Sequence, residues 1–189
     1  VALVTLGGGW GVVASDLCAE HGLDVPPLSA EVTARLDRLL PPYWSRANPV
    51  DLVGESDLEL PLAALEALAA WDGCDAVVNL GIMGRVGWLE SLLRSTAAAD
   101  PAGGAAAAAP ALVAAMEAFE ARYVALTAAL MERHGKPILG VGMSFGAPRP
   151  TLSDVEGSPY KGVFFDSPER AVKALARMCD YRRFLERTG

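Results

Sequence analysis

The sequence predicts a single α/β domain built on a parallel sheet with helices on both faces, and three features carry that expectation. Short apolar runs without polar alternation recur at "VALVTL" (residues 1–6), "DAVVNLGI" (75–82), "KPILGVGM" (136–143) and "GVFFD" (162–166), the pattern of strands covered on both sides. Segments with helical apolar spacing lie between them, and strands that alternate with helices make right-handed βαβ units. The length of 189 residues and an apolar fraction of 52% suit one domain with an ample core.

Each element has its own signal. The first strand runs into "GGGWGVVAS" (7–15) and then into a helix. A weaker fifth strand is expected at "GLDVPPL" (22–28). Ser29 is placed to cap a helix whose face is Val32, Leu36, Leu39 and Leu40. Leu58, Leu62, Leu65 and Ala69 share a second face. Leu112, Met116, Phe119, Tyr123, Leu126 and Leu130 repeat at spacings of four and three along a third helix. The last helix takes Ser167 as its cap and Pro168 in its first turn, with Ala171, Leu175 and Met178 facing inward. Between the second and third of these, "STAAADPAGGAAAAAPALVAAM" (95–116) reads as a flexible alanine-rich connection broken by Pro101, Gly103, Gly104 and Pro110, or else as a lid. The result is a three-layer α/β/α domain over residues 1–189 with a five-stranded parallel sheet of order 2-1-3-4-5, the flavodoxin-like arrangement. In that topology ligands bind beyond the carboxyl ends of the strands, so the turns after Leu6, Ile82 and Met143 are the candidates.

Composition narrows the chemistry. A net charge of -7 argues against nucleic acid and anionic membranes as partners. Cys18, Cys74 and Cys179 show no metal or disulfide spacing, and with only His21 and His134 beside them no metal site is expected. With mean hydropathy +0.28 and no signal segment or long apolar run, a cytoplasmic protein is expected. Val1 already stands inside a strand pattern, which reads as a domain cut from a longer chain. The first glycine turn fits neither common nucleotide loop: Gly7, Gly9 and Gly11 are followed by Val12, Val13 and Ala14 where a dinucleotide fingerprint ends in glycine, and no lysine precedes Lys136. Ser144 lacks a nucleophile elbow, and Cys18 sits in a helix pattern, so no catalytic residue is assigned.

The segment "LLPPYWSRANPVDLVG" (39–54) adds a further signal. Taken with the opening glycine turn, the chain resembles the C-terminal ligase domain of the nucleoside-diphosphate-forming acyl-CoA synthetases, the superfamily of succinyl-CoA synthetase and ADP-forming acetate–CoA ligase. The elements that carry the resemblance stand in order: the glycine turn, Asp16, Gly22-Leu23, Pro41-Pro42 and "NPVD" at 48–51, with "DSPERAVKALARMCDYRRFL" (166–185) as the last helix. The resemblance implies a role in joining a carboxylic acid to CoA through an acyl phosphate and a phosphohistidine. It also implies CoA-binding and ATP-grasp partner domains, and CoA and ATP/ADP with Mg as cofactors of the full enzyme but not of this chain alone. Self-association stays open.

In that family a helix N-terminus of the ligase domain points at the phosphohistidine, and position after the third strand implies "GIMGRVGW" (81–88). Gly81, Met83, Gly84 and Arg85 are therefore the expected phosphate contacts, the glycines allowing close backbone approach and Arg85 adding a fork of donors. Gly8, Gly9, Trp10, Asp16, Asn48 and Asp51 are further candidates for the ligand edge. Asp16 is equally a helix-dipole partner. Trp10, Trp44 and Trp88 cover the sheet end or form a platform, and Arg149 reaches an anion or is merely solvated. His21 and His134 both sit at expected helix ends and serve as caps, so the carrier histidine belongs to another domain. The rival reading is a non-catalytic module that binds a small anion or scaffolds partners. An electron carrier suits the first turn less, because it lacks the hydroxyl-rich loop such proteins use.

Overall fold

The structure is a computed structural model and describes residues 1–100, 104–143 and 150–188. Its strands are β1 (Ala2–Thr5), β2 (Val50–Asp51), β3 (Val77–Leu80), β4 (Ile138–Val141), β5 (Leu152–Ser153) and β6 (Gly162–Phe165). They form one sheet of order β2-β1-β3-β4-β6-β5, parallel throughout except where β5 pairs antiparallel with β6. Helices are α1 (Gly8–Glu20), α2 (Ala30–Leu36), α3 (Glu59–Ala69), α4 (Arg85–Ala99), α5 (Ala105–His134) and α6 (Pro168–Thr188). This is the three-layer, flavodoxin-like architecture expected from the sequence.

The unbroken apolar strands are explained by two cores. Ala2, Val4, Val77 and Ile138 face α2, α3 and α5, whereas Leu3, Val78, Leu139 and Val141 face α1 and α6. Period-two alternation along each strand thus distributes apolar side chains to both layers, so no regular polar alternation remains, with Thr5 and Asn79 as buried polar exceptions.

Two strand assignments change. The 22–28 segment is not a strand, because Pro26 and Pro27 remove two adjacent N–H donors that a ladder would need. The edge strand is β2, only two residues long and polar at Asp51, in a stretch without the apolar run that marks the other strands. It pairs Val4 with Val50 and Thr5 with Asp51, and continues through Leu52 N–H to Thr5 O at 2.8 Å and Gly54 N–H to Leu6 O at 3.0 Å. The opposite edge gains β5, which sequence reading missed since Leu152 is exposed and carries no burial pattern.

Helix ends follow the expected chemistry more closely. Ser29 Oγ accepts from Val32 N–H at 3.3 Å, and Ser167 Oγ from Arg170 N–H at 3.5 Å. The alanine-rich stretch is mostly helical. α4 runs to Ala99, and α5 starts at Ala105 and passes through Pro110, whose position near the helix start forfeits one backbone bond early in a run of strong helix formers. Pro101 and Gly103, with Ser144 and Arg149, lie outside the described residues. Two side chains expected inside are exposed, Leu112 at the outlying start of α5 and Met178 on the outer half of α6. Among the described residues, no helix is long and apolar enough to cross a membrane.

Candidate functional site

The carboxyl edge gathers the turns after β1, β2 and β3, and their exposure differs. Gly7, Gly8 and Gly9 are exposed, and α1 starts after Gly7 with no side-chain cap on its first amides among the described residues. Trp10 is half-buried and packs against the α1/α6 core, so it covers the sheet rather than standing free. Asp51 borders the same turn. One of its carboxylate oxygens would lie 2.9 Å from a Cβ placed on Gly8, and the other accepts from Val53 N–H at 2.8 Å. The second bond closes an Asx turn leading through the left-handed Val53 (φ 50°) and Gly54 (φ 69°). Asp51 is therefore a turn residue as well as an edge residue.

The glycines of this turn have distinct tasks. A Cβ on Gly7 or Gly9 would meet nothing within 4 Å, whereas one on Gly11 would lie 3.1 Å from Pro49 and 3.2 Å from Thr5. Close packing of α1 thus depends on Gly11. Gly9→Ala is expected to raise stability by about 0.5–1 kcal/mol, because alanine costs less backbone entropy in a helix and has room here; a thermal melt checks it.

The turn after β3 is built from the inside. Gly81, Met83 and Gly84 are buried, so the reachable part of the expected phosphate turn begins at Arg85. Gly81 N–H bonds Val141 O at 2.9 Å, and Met83 O accepts from Met143 N–H at 2.7 Å. Gly84 takes φ 85° against the Met143 backbone, where a Cβ would lie 2.5 Å from the carbonyl oxygen. The first amides of α4 already have an anion: Glu120 of α5 accepts from Arg85 N–H at 2.8 Å and from Val86 N–H at 3.4 Å. Its side chain is buried, with the residue 6% exposed, and the helix end offsets the cost of that burial. Burial pulls the Arg85 pKa below the usual guanidinium value, and the Glu120 charge opposes this.

Glu120 was missed by sequence reading. It stands three residues before Tyr123 and seven before Thr127, two other buried polar residues of α5, and that inward polar spacing was the available signal.

The remaining candidates separate from this edge. Asn48 is at the amino end of β1: its Oδ1 accepts from Leu3 N–H at 2.9 Å, and its Nδ2 donates to Val1 O at 3.0 Å and Pro26 O at 2.9 Å. Asp16 is exposed in the third turn of α1, beyond reach of the glycine turn. Trp44 is a core residue whose indole N–H donates to Asp37 at 2.8 Å, while Trp88 is 40% exposed beside Arg85 on α4. His21 follows α1 and His134 ends α5, and both helix ends lie at the amino side of the sheet, opposite the candidate edge. Burial pushes the Cys18 and Cys74 thiols up in pKa, as for unreactive core cysteines. Among the described residues no cluster of His, Cys, Asp and Glu could hold a metal ion.

Fold and edge together define a doubly wound, flavodoxin-like α/β domain with a glycine turn exposed at the carboxyl ends of its strands. Comparison with known proteins agrees. Residues 1–68 match the Ligase-CoA domain family. The chain is 30% identical over 80 residues to an ADP-forming acetate–CoA ligase of Archaeoglobus fulgidus, covering 42% of this chain and 12% of that one. It is 29% identical over 59 residues to the ADP-forming acetate–CoA ligase of Methanocaldococcus jannaschii, covering 31% and 8%. Its fold is similar to acetyl-coenzyme A synthetase 1 of Ca. Korarchaeum cryptofilum, solved with phosphate and ADP, with TM-score 0.60, 17% identity and coverage of 96% and 32%. A Pyrococcus horikoshii structure gives TM-score 0.59, 16% identity and coverage of 93% and 34%. The chain is thus similar over its first 68 residues to a Ligase-CoA domain and over part of its length to ADP-forming acetate–CoA ligases, and it spans about a third of the length of these solved structures.

Proposed function

We propose that this domain works within a larger NDP-forming acyl-CoA synthetase, beside CoA-binding and ATP-grasp domains that handle CoA and ATP with Mg. Its carboxyl edge faces a phosphorylated histidine carried by another domain. The observation that carries the reading is the match over residues 1–68, which takes in the exposed glycine turn at Gly7–Gly9 and the Asp51 carboxylate bordering it. Within the edge, the α1 amides at Gly8 and Gly9 and the Arg85 guanidinium are the groups in reach of a phosphate. Gly81, Met83 and Gly84 shape the Arg85 turn from behind. Asp51 holds the loop beside Gly8 and limits where a second negative charge can enter.

His21 and His134 lie at the far end of the sheet, so this domain receives a phosphohistidine and does not form one. Labelling with radioactive ATP tests the division of labour. This chain alone is expected to remain unlabelled and to form no acyl-CoA, while the full enzyme carries label on a histidine outside these residues. Stable phosphate on His21 or His134 would overturn the proposal. Retention of full acyl-CoA synthesis after deletion of this domain would favour the scaffolding reading.

A further inference from the structure

We propose that Glu120 is a positioning residue: from α5 it fixes the first turn of α4 and thereby sets where Arg85 stands at the carboxyl edge. The consequence for catalysis rests on the function proposed above, but the structural part does not.

The turn before α4 is secured by the sheet as far as Gly84, through the bonds at Gly81 and Met83 and the contact with Met143. Beyond Gly84 that support ends. α4 has no buried residue of its own, and only Val86 and Leu89 pack partly against the core. α4 lies along α5 for much of its length, so what its end contacts decide is the placement of its first turn at the sheet edge. Glu120 supplies them, because a single carboxylate oxygen reaches both leading amides, at 2.8 and 3.4 Å. The oxygen comes from a 30-residue helix whose neighbouring Phe119 and Tyr123 are buried in the core, so the tether is stiff. It also means that the chain's own carboxylate occupies the α4 amides that a phosphate would otherwise take. Arg85 then meets an anion through its side chain.

Three variants test this by amide resonances and hydrogen exchange at Arg85 and Val86 in this chain, with turnover measured in the full enzyme. Glu120→Ala is expected to raise exchange at both amides at least tenfold and to lower kcat at least tenfold with little change in KM for acid or CoA. Glu120→Gln keeps an oxygen acceptor and is expected to restore both amide protection and most of kcat. If Glu120→Ala does not fold, Glu120→Asp keeps the charge, shortens the reach and is expected to lose the same protection. Unchanged exchange at Arg85 and Val86 in a folded Ala or Asp variant would overturn the proposal, as would a Gln variant as impaired as Ala. Lost protection with normal turnover would support the tether and refute the phosphate role of this edge instead.

Discussion

Gly84→Val is expected to destabilise the domain by roughly 3–5 kcal/mol, combining left-handed backbone strain with overpacking. The residue holds φ 85°, which a β-branched side chain strongly resists, and its Cβ would stand 2.5 Å from the Met143 carbonyl oxygen and 2.8 Å from the Met143 nitrogen. Those obstacles are backbone atoms at the end of β4, tied to Met83 by a 2.7 Å hydrogen bond, so neither side yields cheaply. Gly84 is buried by its own chain, so this variant strikes the fold itself. A thermal melt should show a fall of roughly 10 °C or more, given ordinary unfolding entropies for this size. A melt within 2–3 °C of the parent would mean the Met143 contact relaxes freely.

Asn48→Ala is expected to cost roughly 2–4 kcal/mol, since three backbone groups lose their partner at once. Asn48 extends the edge of the sheet just before β2 begins. Its amide bonds Leu3 N–H and Val1 O as a neighbouring strand would, and its third bond ties down Pro26 in the segment that cannot pair for itself. Leu3 is fully buried, so its N–H has no water to turn to. Asn48→Asp keeps the acceptor for Leu3 but loses both donated bonds, and should fall between Ala and the parent in urea unfolding. Equal midpoints for all three proteins would remove the structural role.

What the sequence made legible follows from the range of each signal. Burial of both strand faces and the Ser29 and Ser167 caps are local patterns, and they placed four strands and the starts of α2 and α6. β2 was hidden because two residues suffice when Leu52 and Gly54 extend the pairing to Thr5 and Leu6. Asn48 and Asp51 appeared together as a motif, and only three-dimensional contact separates them, one at each end of the sheet edge. The turn at 81–84 follows β3 and leads into α4, yet its surroundings include Met143 and Glu120, which are distant in sequence. Such contacts leave little trace in spacing alone.

The most direct measurement is single-turnover decay of the phosphohistidine in the full enzyme with Arg85→Ala, after charging with radioactive ATP and chasing with acid and CoA. Arg85 is partly exposed and its helix has no fully buried residue, so its removal should leave the domain folded. Loss of a charge-assisted bond of roughly 1.5–3 kcal/mol predicts decay slowed by at least tenfold. Decay at the parental rate in a folded, fully charged enzyme would contradict the assignment of this edge to the phosphohistidine.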